Sequence, residues 1–169
     1  MTVILDNGET LDALPNDAAT AAHVVRIEGN ADLRGYAHPL PALRRIDGWA
    51  ILRDYAHALP DGLTVGTSLD LRGCSALAAL PPGLTVGSWL NLSGCTGLDR
   101  YCVGRDKRNY AFFGIPMRDG PHVVAGCRNF TGAQALAHWG PGGESDRPDC
   151  LALAQKAIAL AERVIGDRP

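Results

Sequence analysis

A repeat of 21 residues constrains the fold of this chain more than any other feature. Residues 59–77 read LPDGLTVGTSLDLRGCSAL, and residues 80–98 read LPPGLTVGSWLNLSGCTGL. The two copies share Leu-Pro, Gly-Leu-Thr-Val-Gly, Leu-x-Leu and Gly-Cys. Self-similarity at a fixed period of about 20 to 50 residues is typical of repeat architectures. We therefore expect a stack of similar coils in this part of the chain.

Weaker copies of the repeat extend upstream. Val3-Ile-Leu5 and Val25-Arg-Ile27 fit the Leu-x-Leu frame, and a degenerate copy lies around residues 48–53. We predict that each copy contributes one strand to a single parallel sheet. The frame places these strands near residues 3–5, 25–27, 50–52, 69–71 and 90–92.

The spacing within one unit determines which side chains are buried. Leu-x-Leu places two leucines on one face of a short strand and the residue between them on the other face. Leu69 and Leu71 are therefore predicted to point into the core, as are Leu90 and Leu92. Leu-Pro and Pro-Gly mark the corners, and the unit is short enough that we expect its back to be extended or a single 3-10 turn. One unit cannot bury its own leucines, but stacked neighbours can.

These residues resemble the leucine-rich repeat family. Leu69-Asp-Leu71-Arg-Gly-Cys74 matches the L-x-L-x-x-N/C core of the family pattern, and Leu90-Asn-Leu92-Ser-Gly-Cys95 matches it again. The unit lengths and Leu-Pro corners are most similar to the short bacterial and phage-borne variety over residues 1–100. The resemblance implies a domain that binds a protein partner on one face of its sheet.

Residues 101–169 lack the period, and we expect them to form an α/β cap on the solenoid. Two strands are predicted at residues 110–115 and 122–125, joined as a β-hairpin by the turn signal at 118–120. The predicted fold class is thus α/β. It consists of a short leucine-rich-repeat-like solenoid over residues 1–100, capped by this hairpin and two helices.

Helix signals occupy the rest of the cap. Thr131 is a suitable N-cap for an alanine-rich helix over residues 132–139. A second helix is predicted to begin at Asp146 or Pro148, because apolar residues recur there at helical spacing. Residues 124–139 resemble a recurrent tail of small phage-type proteins, and that resemblance implies no activity.

Composition excludes several classes of protein. The chain has 16 lysines and arginines against 18 aspartates and glutamates, a net charge of −2. This balance disfavours a dedicated nucleic-acid or membrane-surface binder. No apolar stretch approaches the roughly 20 residues of a membrane span, and the N-terminus lacks the pattern of a signal peptide. We therefore expect a cytoplasmic protein with no membrane association.

The cysteines are predicted to be free thiols. There are five of them, and no CxxC pair occurs. Cys74 and Cys95 take the same position in successive coils, as Asn30 does earlier, where a small polar side chain can satisfy backbone groups of a neighbouring coil. A redox or ligand role is the alternative. We expect no metal site and no cofactor, because neither zinc-ligand spacing nor a phosphate-binding loop is present.

A thiol-dependent hydrolase or transferase is the alternative to a binding module. Cys127 would be its nucleophile, with His138 and Asp149 completing a Cys–His–Asp set. Their order and spacing match no family signature, so we expect no catalytic residue and a Cys127 buried at a strand end. The cluster Arg105-Asp-Lys-Arg108 predicts a solvated turn, with a small anion contact as its alternative.

The sequence predicts a non-enzymatic protein–protein interaction module, such as a small bacterial or phage inhibitor or adaptor. If Leu69 and Leu71 point inward, their neighbours point outward, and Trp89 stands where the sister repeat has Ser68. Tryptophan and arginine are enriched among interface hot spots. Burial of Trp89 beneath the cap is the alternative, and the partner and the oligomeric state are left open. The candidate partner-binding residues are Arg26, Arg53, Asp70, Arg72, Trp89 and Asn91, with Trp49 as a further candidate.

Overall fold

The repeat folds into a series of coils built from very short strands. A computed structural model describes residues 1–166, and the chain divides after Gly97 into two units. The elements of the first unit are β1 (Thr2–Leu5), β2 (Thr10–Leu11), α1 (Ala18–Ala21), β3 (Val24–Glu28), β4 (Ala31–Asp32), β5 (Arg45–Ile46), β6 (Ala50–Ile51), β7 (Thr64–Val65), β8 (Leu69–Asp70), β9 (Thr85–Val86) and β10 (Leu90–Asn91).

Each coil contributes one strand to each of two sheets. The first sheet has the order β2-β1-β3-β5-β7-β9, and the second has the order β10-β8-β6-β4. Neighbouring strands are parallel from β3 to β9 in the first sheet and throughout the second. This is a solenoid arrangement, so the solenoid class predicted from the repeat is confirmed.

The prediction of one five-stranded parallel sheet is wrong in its pairing. Residues 25–27 lie in β3 of the first sheet, whereas the last three predicted strands coincide with β6, β8 and β10 of the second. Residues 3–5 lie in β1, which pairs antiparallel with β3, so they cover the outer side of the parallel strands, with β2 beyond them, and do not form a further coil. The sequence prediction assigned only one strand to each coil.

The second strand of each coil comes from its back. The Leu-Thr-Val segments are extended there, which was one of the two expected conformations, and they pair Thr64 with Thr85 and Val65 with Val86. Because valine and threonine are β-branched, these segments suit a strand with one buried face.

Aliphatic side chains of successive coils stack into columns inside the solenoid. Leu71 and Leu92 are each 1% exposed, as the inward register predicted, whereas Val24, which that register turned outward, is also buried. The apolar side chains of one coil are removed from water only because the neighbouring coils cover them. One column consists of Ile27, Ile46, Val65 and Val86, and another of Leu33, Leu52, Leu71 and Leu92.

The cysteines and Asn30 connect neighbouring coils as expected. The thiol of Cys74 donates to the carbonyl oxygen of Leu52, and that of Cys95 donates to the carbonyl oxygen of Leu71, both at 2.9 Å. The Oδ1 atom of Asn30 accepts the backbone N–H of Trp49 in the next coil. Buried backbone groups that the strand ladders leave unpaired thus gain partners.

Two glycines set the distance between coils at one corner. A Cβ atom at Gly66 would collide with the carbonyl oxygen of Asp47, and a Cβ atom at Gly87 would collide with the carbonyl oxygen of Gly66. Because these obstacles are backbone atoms, no side-chain movement relieves the collision. Glycine is therefore required at this corner for the coils to approach as closely as they do.

The second unit is an antiparallel sheet with two helices. Its strand order is β11-β12-β13-β14, and the predicted hairpin forms the central pair β12 and β13. The hairpin thus lies inside a larger sheet, because the short, weakly apolar strands β11 and β14 were not predicted. A 3-10 helix (Thr96–Tyr101) begins in the first unit and ends in the second. The other elements of the second unit are β11 (Cys102–Arg105), β12 (Ala111–Met117), β13 (Gly120–Ala125), β14 (Arg128–Thr131), α2 (Gly132–Trp139) and α3 (Pro148–Gly166).

Both predicted helices are confirmed. The Thr131 hydroxyl accepts the backbone N–H of Gln134, and the Gln134 side chain accepts the backbone N–H of Thr131, so a capping box opens α2. Helix α3 turns a face of small residues to the sheet, including Ala154 and Ala157. A Cβ at Gly114 of β12 would collide with the carbonyl oxygen of Ala157, so helix and strand pack backbone to backbone there.

Truncation of a column leucine is expected to destabilise the solenoid strongly. Leu71→Ala should lower the free energy of unfolding by about 2–5 kcal/mol, because it leaves a cavity between coils. Thr67→Ala is the matched control, since Thr67 is exposed on the same coil, and should change the value by less than about 0.5 kcal/mol. Urea unfolding measures both, and equal effects of the two substitutions would contradict the inward register.

Stability is expected to fall with rising pH above about 9. Burial raises the pKa of the Cys95 thiol to about 11 from an ordinary value of 9.0. Between these values the unfolded chain has lost the thiol proton while the folded chain keeps it, so the contribution is full below pH 9 and declines towards pH 11. Urea unfolding across this range should show the decline. A Cys95→Ala variant with an equally steep decline would show that other groups cause it.

Candidate functional site

A groove on the second sheet of the solenoid brings together four of the six predicted partner-binding residues. Arg53, Asp70, Arg72 and Trp89 line it, together with Trp49, and its volume is about 260 Å³. The groove thus combines two indoles with two guanidinium groups.

Strand register explains why the two tryptophans meet. Trp49, Ser68 and Trp89 each directly precede residues that are paired across β6, β8 and β10, so they lie side by side on successive coils. The indoles are therefore two strand spacings apart at their backbones, about 10 Å. Because serine is small, the space between them stays open, and Ile51 contributes to its lining.

Asp70 holds the two arginines of the groove. Arg53 Nε and Arg72 Nη2 each donate to Asp70 Oδ2 at 2.7 Å, and Arg72 Nε donates to Oδ1 at 3.0 Å. The guanidinium groups cover the carboxylate, so the Asp70 side chain is 4% exposed while those of Arg53 and Arg72 are 38% and 42% exposed. Asp70 lines the groove on the predicted outward face, but the arginines cover its carboxylate, and its contact with a partner stays a prediction. One carboxylate facing two guanidinium groups leaves the cluster with a net positive charge.

Arg26 and Asn91 do not line this groove. Arg26 lies in β3 of the other sheet, where its Nε and Nη2 donate to Asp47 Oδ2 at 3.1 and 2.7 Å. Asn91 lies in β10, and its side chain accepts the backbone N–H of Ser93. The prediction that all six residues share one face is therefore wrong for Arg26, because each coil has two outward faces.

A second cavity, of about 250 Å³, lies in the second unit and contains Cys127 and His138. Cys127 follows Gly126 in the two-residue loop between β13 and β14, and Gly126 has a φ of 63°. Glycine at the first loop position suits a type II′ turn, which places Cys127 at the tip of the hairpin. Cys127 was predicted to be buried at a strand end, but it is exposed because it occupies this tip.

His138 uses both ring nitrogens within the second unit. Its Nε2 lies 3.1 Å from Nη1 of Arg128, and its Nδ1 lies 3.0 Å from Oε2 of Glu144. Because arginine only donates, Nε2 must accept and the ring proton sits on Nδ1, facing the carboxylate. The lone pair that a base would use on the Cys127 thiol is therefore turned to Arg128.

The suggested Cys–His–Asp set is not assembled. Asp149 accepts from Arg147 Nη2 at 3.1 Å, and the carboxylate beside His138 is that of Glu144, which the sequence argument missed. No motif marks Glu144, because it lies in the loop after α2 and reaches the histidine only through the fold. Within residues 1–166, no group of three or more histidine, cysteine, aspartate or glutamate side chains is placed to hold a metal ion.

Comparisons with models of protein families, with curated proteins and with solved structures gave no match to this chain. Among residues 1–166, no helix is long and apolar enough to cross a membrane.

Removal of the Asp70 charge is expected to destabilise the first unit. Asp70→Asn leaves two arginines without their carboxylate, and we expect a loss of about 1–3 kcal/mol in the free energy of unfolding, reduced from a fully buried pair because both arginines are partly exposed. Asp32→Asn is a matched control. Asp32 occupies the same column of the sheet and pairs with Arg34, but its side chain is 40% exposed.

The difference between these two variants is the informative quantity. Thermal and urea unfolding should show a clear loss for Asp70→Asn and a much smaller one for Asp32→Asn. Equal losses would contradict the view that Asp70 is the centre of a desolvated cluster.

Proposed function

We propose that this chain is a non-enzymatic protein-binding module of the leucine-rich-repeat kind, a small bacterial or phage inhibitor or adaptor that acts in the cytoplasm. The observation that carries the proposal is the groove in which Trp49 and Trp89 flank the arginines held by Asp70.

The groove suits an inserted side chain better than a whole element. The backbones that carry Trp49 and Trp89 are about 10 Å apart, and the indoles occupy part of that width. An α-helix with its side chains is about 10–12 Å across, so it does not fit between them. A single aromatic or aliphatic side chain of an extended or turn segment does fit.

The positive charge of Arg53 and Arg72 determines which partner residue is favoured beside the inserted side chain. Arg53 and Arg72 retain exposed N–H groups because Asp70 satisfies only part of their donors. An aspartate or glutamate in the partner segment would gain charge-assisted hydrogen bonds there. The proposed recognition element is therefore an apolar side chain close to an acidic residue.

The arrangement has the properties of an interface hot spot. Tryptophan and arginine are the residue types most enriched at such positions, and truncation there costs about 2 kcal/mol or more. The arginines are fixed by Asp70 before any partner arrives, so less conformational entropy is lost on binding.

Selection from a random peptide library tests the proposal. Peptides enriched on the immobilised protein are expected to combine an aromatic or aliphatic residue with a nearby aspartate or glutamate. Trp89→Ala and Trp49→Ala should each weaken the selected peptide about 30-fold or more, the factor that corresponds to a loss of about 2 kcal/mol. Both variants should keep the melting temperature of the natural chain.

Ser88→Ala is the control, because Ser88 is exposed beside Trp89 and does not line the groove. It should leave peptide affinity unchanged. Peptides that bind both tryptophan variants as tightly as the natural chain would overturn the proposed site. A large fall in melting temperature in Trp89→Ala would assign that residue a structural role instead.

A further inference from the structure

The cavity of the second unit is lined by two arginines that no carboxylate pairs among residues 1–166, and the proposed function does not use them. Arg108 and Arg128 are these two, whereas the third lining arginine, Arg147, pairs with Asp106 and Asp149. Glu144 lies against His138. Phe112 and Trp139 pack with ring centroids 5.0 Å apart and are only 1% and 4% exposed, so the aromatic ring open to a ligand is that of Tyr110, which lines the cavity and is 53% exposed.

Asp106 does not neutralise the arginines at the mouth of the cavity. Its Oδ1 accepts the backbone N–H groups of Arg108 and Tyr110, both at 2.9 Å, and its Oδ2 lies 3.3 Å from Nη2 of Arg147. The Asp106 side chain is 3% exposed, and its carboxylate contacts the backbone of the turn and Arg147.

Two guanidinium groups remain available. The side chain of Arg108 is exposed and has no ion-pair partner among residues 1–166. That of Arg128 contacts His138 through Nη1 and lies over the ring of Phe130, and neither contact removes its charge. Arginine presents five N–H donors in a planar fork, which matches a carboxylate.

We propose that this cavity binds a small organic carboxylate, with its charged group at Arg108 and Arg128 and its apolar part against the ring of Tyr110. The volume of about 250 Å³ is slightly below the range of about 300–1,000 Å³ that is usual for ligand pockets, so we expect a small molecule. This inference concerns the second unit alone and does not depend on the groove of the solenoid. It also selects the anion contact over the merely solvated turn as the role of the basic cluster at residues 105–108.

Cys127 provides a reporter inside the site. Its thiol is exposed and lines the same cavity, whereas Cys150, which also lines it, is 1% exposed. Iodoacetate and iodoacetamide both alkylate the thiolate with loss of iodide, but only iodoacetate carries a carboxylate. Both rates depend in the same way on the fraction of Cys127 that is thiolate, so this fraction cancels in the ratio of the two rates. The ratio therefore measures how strongly the cavity prefers the anionic reagent to the neutral one.

The experiment measures this ratio by mass spectrometry of the Cys127 peptide, in the folded chain and in urea. Urea keeps the sequence neighbours of Cys127 and removes the cavity. We expect the ratio in the folded chain to exceed that in urea by about fivefold at low salt, and to fall at about 0.5 M salt because the attraction is screened. A folded ratio equal to the unfolded ratio would overturn the proposal.

Arginine variants separate the cavity from the general charge of the unit. Arg108→Gln and Arg128→Gln should each remove about half of the excess, and Arg108→Gln breaks no contact on which folding depends. Arg118→Gln is the matched control, because Arg118 is exposed in the turn between β12 and β13, outside the cavity lining. A loss in Arg118→Gln as large as in the other two would overturn the assignment to this cavity.

Competition tests the apolar part of the ligand. Benzoate is expected to slow alkylation of Cys127 by iodoacetamide in a saturable manner, because its ring can pack against the exposed ring of Tyr110. Inorganic phosphate at equal ionic strength should protect much less. Equal protection by the two anions would overturn the choice of an organic carboxylate.

Discussion

Burial of aliphatic columns between neighbouring coils is the interaction on which the first unit depends. A strand of two residues has almost no stability of its own, and the strands of the second sheet have that length. Their backbone pairing persists because Leu33, Leu52, Leu71 and Leu92 stack beneath it. Because the buried leucines are aligned from coil to coil, the residues at equivalent positions on the outer surface are aligned as well. Trp49 and Trp89 occupy equivalent positions and therefore line the same groove.

The sequence allowed the buried register to be predicted but not the division of strands between sheets. Leu-x-Leu recurs with fixed spacing, so the inward direction of Leu71 and Leu92 followed from periodicity alone. The Leu-Thr-Val segments carry an equally good strand pattern, but a pattern does not say which strand pairs with which. Which strands pair is a property of the assembled stack, in which the coils also approach closely at Gly66 and Gly87.

The two candidate sites differ in how far they could be predicted. Arg53, Arg72 and Trp89 were found because one repeat unit projects them at regular intervals. Arg147, which lines the second cavity, and Glu144, which contacts His138, were not found, because both lie in a loop and have no periodic signal. A buried carboxylate pairs with arginine in each site, Asp70 among the repeats and Asp106 in a turn. Aspartate is usually exposed, so the residue type alone did not predict that these two are buried.

The corner glycines Gly66 and Gly87 allow a fixed, close spacing of successive coils. Because a backbone contact sets the spacing of the coils, the gap between the two tryptophans grows only in whole steps of one strand spacing, about 4.8 Å. Deleting the coil that carries Ser68 would bring the indoles onto adjacent strands, and duplicating it would open the gap by one step. The number of coils between the two tryptophans therefore sets the size of the ligand that fits the groove. A change in repeat number would change specificity while the residues that contact the ligand stay the same.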